Sequence, residues 1–192
     1  MKRFNLRALI FMALCCDLGL ISKKLISPAA NVITEALHIP GGVATSFSVM
    51  FLVIAASVIP LFGCATIMGA VQSLLALAFG MTGSMGILAP FGYILPGLVI
   101  DCLFFLSRKM PEAGIKNFIM IASIAGSVTA ALAANMIVFR LWGLVLIVYL
   151  LVSATCGVIS GMLAILLNER LSPVINYNKI KNEKGTFTDH NE

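Results

Sequence analysis

Between Gly86 and Asp101 the chain reads GILAPFGYILPGLVID, and the apolar run goes on to Leu106. It is long enough to span a bilayer, yet it carries Pro90, Pro96, Gly86, Gly92, Gly97 and the carboxylate of Asp101. In lipid, an interrupted helix and a charge are tolerated only where protein or an aqueous cavity surrounds them. This segment therefore belongs to a helical membrane protein, and it points to a binding cavity inside the helix bundle.

Composition agrees. Of 192 residues, 60% are hydrophobic and 11% charged, where a soluble domain carries about 25% charged residues. Mean hydropathy is +1.04. A span needs about 20 apolar residues, and the chain divides into six: Leu6–Ile21, Val43–Ile59, Leu61–Met81, Gly86–Leu106, Phe118–Val138 and Leu141–Leu167. The expected architecture is an all-α membrane protein of six transmembrane helices, with one transmembrane domain over 1–168 and a polar, partly disordered cytoplasmic tail over 169–192. The N-terminal apolar run has no cleavage site of the signal-peptide kind and is read as a retained first span.

Of the 13 Lys and Arg residues, ten fall on one side of this layout. Only Lys23, Lys24 and Arg140 fall on the other. The positive-inside rule then places both termini in the cytoplasm. The net charge of +5 is thus a topology signal and gives no reason to expect nucleic acid. The longest outer segment, Ser22–Gly42, is expected as a loop holding a short helix, Ala29–Leu37, that lies at the interface or folds over a cavity.

Residues of catalysis are sparse. There is no G-x-x-x-x-G-K-S/T loop for ATP, no H-E-x-x-H, no G-x-S-x-G and no carboxylate pair at catalytic spacing. Asp17 falls in the outer half of the first span and Asp101 near the inner end of the fourth, so the two do not converge. An enzyme is not expected. The five cysteines lie in apolar segments without CxxC pairing and are read as small buried hydrophobes, with no metal site. Asp101 is expected to be solvated or paired, with Arg108 in reach. Asp17 is expected to draw Lys23 or Lys24 back to it.

Polar residues within the spans sketch one outward-facing pocket. Gln72 lies mid-way along the third span, Tyr93 one turn before Pro96, and Asn135 near the outer end of the fifth, with Arg140 and Trp142 just beyond. Ser46 and Ser48 open the second span, and Glu35 and His38 come from the outer loop, His38 at the lip. A few polar groups on an apolar cavity fix a ligand's orientation. Stripes of small residues (Ala122, Gly126, Ala130, Ala134; Ser153, Gly157, Gly161; Ala65, Gly69, Ser73) let helix backbones approach closely.

The layout resembles the substrate-binding S components of energy-coupling factor (ECF) transporters. Ile39–Val43 (IPGGV), Gly69–Gln72 (GAVQ) and Gly92–Asp101 (GYILPGLVID) look like the YkoE-like branch, over roughly Ala8 to Leu167. The resemblance implies capture of a vitamin in the outer half of a bacterial cytoplasmic membrane, thiamine or its hydroxymethylpyrimidine precursor in this branch. It implies docking on a transmembrane coupling protein driven by two ATPase subunits, with no permanently bound cofactor. Docking in the family uses small alanines of the first span at four-residue spacing; here Ala8 and Ala13 are five apart. Few polar groups and a single Trp suit thiamine poorly, so haem or another tetrapyrrole is the alternative cargo. His38 would then be the axial imidazole, and Lys23, Lys24 or Arg140 would meet the carboxylates. A self-sufficient small transporter or channel is the alternative of another class.

Overall fold

The computed structural model describes residues 6–36, 43–59, 61–80, 83–109, 114–140 and 142–188. Among them the chain is all helical, and each expected span falls on a helix. In chain order these are α1 (Leu6–Ala36), α2 (Val43–Val58), α3 (Cys64–Ala78), α4 (Ala89–Ser107), α5 (Ile115–Ala134) and α6 (Leu144–Thr188). A 3-10 segment, Gly83–Leu88, leads into α4, and a π-helical turn, Asn135–Phe139, ends α5.

Three segments are long and apolar enough to cross a membrane: Gly86–Ser107, Ile115–Ile137 and Leu144–Leu171. Two apolar helices are shorter, Ala44–Val58 and Cys64–Ala78. The outside of the bundle is apolar too. Leu6, Ile10, Leu14 and Ile21 on α1, Phe91 and Leu98 on α4, and Val145, Leu151 and Leu166 on α6 are exposed. Large contiguous apolar surface is rare on a protein bathed in water. Together these features fit a membrane protein.

α2 is the central helix and touches all the others. Its Val53 and Ala55 are fully buried, with Cys64, Ala65 and Met68 of α3, Ile100 of α4 and Ala122 of α5 in the same core. Small residues set the distances between helices. A Cβ on Gly157 would lie 2.9 Å from the Ile124 Cα, and one on Gly161 would lie 2.9 Å from the Met120 sulfur. The stripe on α6 is therefore filled by α5 of the same chain. On α3, Gly69 lies against the Tyr93 carbonyl of α4, and Gly97 of α4 lies against the Ala65 carbonyl of α3.

Two boundaries differ from the sequence expectation. The segment expected as a loop over Ser22–Gly42 is helical as far as Ala36, continuing α1 through Pro28. A proline inside a helix removes one backbone bond, and here that loss does not end the helix. The segment 37–42, with His38, lies outside the described residues. The expected tail from 169 continues α6 to Thr188.

The cysteines also divide. Cys15, Cys16 and Cys64 are buried as expected, but Cys102 is exposed on α4 and Cys156 is half-buried. Lys116 of α5 meets Glu169 of α6 at 2.6 Å, with both side chains well exposed. Exposed pairs contribute little. Lys116→Ala is expected to leave the melting temperature close to that of the wild type, which a thermal melt in detergent followed by circular dichroism checks.

Candidate functional site

One half of the bundle holds a small cavity between α1, α2, α3, α4 and α5. Its polar lining is Lys23, Thr45, Ser48, Gln72 and Tyr93, and its apolar wall includes Val49, Leu52 and Ala130. Gln72 is completely buried. Its Oε1 accepts from Ser48 Oγ at 3.3 Å, and its Nε2 donates to the Cys16 carbonyl at 3.3 Å. The amide thus ties α3 to both α2 and α1. Gly19 makes this fit possible: a Cβ there would lie 2.5 Å from Gln72 Nε2.

The opposite wall is α4. Gly92 and Pro96 both line the cavity. Pro96 has no N–H to donate to the Gly92 carbonyl one turn earlier, and such an interruption is tolerated in a bilayer where protein or a cavity surrounds it. Lys23 of α1 closes the mouth. Its Nζ donates to the Tyr93 hydroxyl at 2.6 Å and stands 4.5 Å from the centre of the Tyr93 ring.

The free volume is about 40 Å³, room for roughly two or three waters. A vitamin-sized molecule enters only if the walls part. The bonds that hold the mouth are the Lys23–Tyr93 pair and the Gln72 amide, both made to α1.

Of the residues expected to converge, Gln72, Tyr93 and Ser48 do so, joined by Lys23 and Thr45. The others are placed elsewhere. Asn135 is buried at the start of the π-helical turn, outside the cavity lining. Ser46 is buried with no hydrogen-bond partner for its hydroxyl among the described residues. Arg140 is exposed, with a left-handed φ of 47°. Trp142 is 87% exposed. Glu35 belongs to the last turn of α1; its side chain, like His38, lies outside what the structure describes. Ala8 packs against the core, whereas Ala13 is exposed on a continuous α1 face with Leu6, Ile10, Leu14, Asp17 and Ile21.

The two spanning carboxylates also differ from expectation. Asp101 is not solvated and is not paired with Arg108. It is 3% exposed and sits at the N-terminus of α3. It accepts from the Ala65 and Thr66 amides at 3.1 and 2.8 Å and from the Thr66 hydroxyl at 2.6 Å. α3 starts from Gly63, which has no side chain to cap it, so α4 supplies the cap that a helix N-terminus needs. Asp17 is exposed, and Lys23 turns to Tyr93 instead of folding back to it. Among the described residues no group of three or more His, Cys, Asp or Glu could hold a metal ion.

Compared with known proteins, the chain matches no family model, no curated protein and no solved structure.

Proposed function

We propose that this chain is a substrate-capturing membrane subunit, the S component of an ECF-type importer. The observation that carries the reading is the cavity. The buried Ser48 and Gln72 of α2 and α3 meet the half-buried Lys23 of α1 and Tyr93 of α4 in an otherwise apolar bundle, beside a proline-interrupted helix, in a chain with no ATP motif of its own. Its cargo on this reading is a vitamin or related micronutrient taken from outside, and no chemistry is done on it. The six helices cross a bacterial cytoplasmic membrane with both termini inside.

The partners are a transmembrane coupling protein and two ATPase subunits. The exposed α1 face that includes Ala13 is the docking surface, since small and apolar side chains there are left without a partner in the monomer. Ala8, half-buried and packed against the core, borders this face.

The test is co-purification and uptake. Gentle extraction of the tagged chain from its own membrane is expected to bring down a coupling protein and two ATPases. Uptake into liposomes is expected only when all are present with ATP. Transport by the purified chain alone would overturn the reading and favour a self-sufficient transporter.

A further inference from the structure

We propose that the cavity takes a ligand bearing an anionic oxygen group, a carboxylate foremost, and that Lys23 is the residue that binds it. The inference rests on reading the cavity as the capture site, and it names the chemical class of its ligand.

Among the described residues the lining holds one charged residue, Lys23, and no Asp or Glu. Lys23 is half-buried, and a charge taken from water without a counter-charge is costly. Its partner is a neutral phenol at 2.6 Å. Among the described residues the ion pair found is Lys116–Glu169 at the other end of the bundle, and no carboxylate stands within ion-pair distance of Lys23. An ammonium has three donors, of which Tyr93 takes one. A charge-assisted bond to an anionic oxygen is roughly twice as strong as a bond to a neutral acceptor. An incoming carboxylate therefore displaces the Tyr93 hydroxyl as the preferred partner of Lys23.

The rest of the ligand follows from the other walls. Val49, Leu52, Pro96 and Ala130 suit an apolar or flat body, and the Gln72 amide has a second N–H to offer beyond its bond to Cys16. A cation meets Lys23, which opposes it, and finds no counter-charge among the described lining residues. The permanent charge of thiamine is the wrong sign for this site. An acid is the right one.

The experiment uses pairs that differ only in charge: nicotinate with nicotinamide, and biotin with its methyl ester, with thiamine and hydroxymethylpyrimidine alongside. The purified full chain, in detergent free of anionic lipid, is titrated with each by calorimetry and thermal shift. At least one acid is expected to bind roughly ten- to a hundredfold more tightly than its neutral twin. That preference is expected to vanish in Lys23→Gln and to survive in Lys23→Arg. Tyr93→Phe keeps the ring and frees Lys23, and acid binding is expected to persist in it.

Equal binding of acid and neutral twin, tighter binding of thiamine, or silence from every acid would each overturn the proposal. So would stabilisation by phosphatidylglycerol alone that Lys23→Gln abolishes, because Lys23 would then serve a lipid headgroup. Co-purification of the wild-type chain with the coupling protein and ATPases judges the capture reading separately. A failed anion site is thereby distinguished from a failed function.

Discussion

Asp101→Ala is expected to lower the unfolding free energy by roughly 2–4 kcal/mol. The carboxylate accepts three hydrogen bonds in a buried site. Alanine leaves the Ala65 and Thr66 amides facing the interior with no acceptor, and unmade buried bonds cost more than made ones contribute. Two companions separate the contributions. Thr66→Val removes only the hydroxyl bond and is expected to cost about 1 kcal/mol. Asp101→Asn keeps one acceptor oxygen but turns an NH₂ toward donors, so it is expected to fall between the two. Thermal or denaturant melts in micelles, followed by circular dichroism, read the series. A wild-type melt for Asp101→Ala would show that α3 is capped by something else.

The second large effect is expected at Gly97 and Gly69. Added methyl groups would sit 2.6 Å from the Ala65 oxygen and 2.5 Å from the Tyr93 oxygen. These neighbours are backbone and cannot swing aside as a side chain does. Gly→Ala ordinarily favours a helix by about 1 kcal/mol. Forcing two packed backbones apart costs roughly 1–3 kcal/mol or more, so both variants are expected to lose stability on balance. Gly97→Ala is expected to be the worse, because Gly97 lies one turn before Asp101 on the same face. Separating the helices there also draws the carboxylate away from the α3 amides. A melt higher than wild type in either variant would mean that propensity outweighs contact and that α3 and α4 are not packed this closely.

These two sites show what the sequence made legible. The apolar spans were readable because each is a long run of one character, and their helices fall where hydropathy places them. Gln72, Ser48 and Tyr93 were readable because a polar group within such a run has few places to go. Lys23 was readable only as one of three cations, with Lys24 and Arg140, that could meet a ligand's carboxylates, and it stood in a segment expected as a loop. The helix runs on through that segment to Ala36, and the continuity brings Lys23 over Tyr93, seventy positions along the chain.

The role of Asp101 was hidden for a related reason. Its partners lie 35 and 36 residues upstream, and no local pattern announces a helix capped by another. Arg140 and Trp142 follow the π-helical turn, closed by the bond from Arg140 N to the Asn135 carbonyl at 2.7 Å. At Arg140 the chain leaves the helix with a left-handed φ of 47°, and both side chains are exposed; hydropathy alone carries no signal for that turn.

Asp101 has a mechanical consequence as well. It belongs to α4 by covalent bond and to α3 by three hydrogen bonds. Prising that pair apart leaves donors pointing into hydrocarbon with nothing to receive them. Parting α1 from the pair breaks the Lys23–Tyr93 and Gln72–Cys16 bonds and a long thiol contact from Cys16 to the Met68 carbonyl. α3 and α4 are therefore tied through a buried carboxylate, and α1 is joined to them only through neutral acceptors.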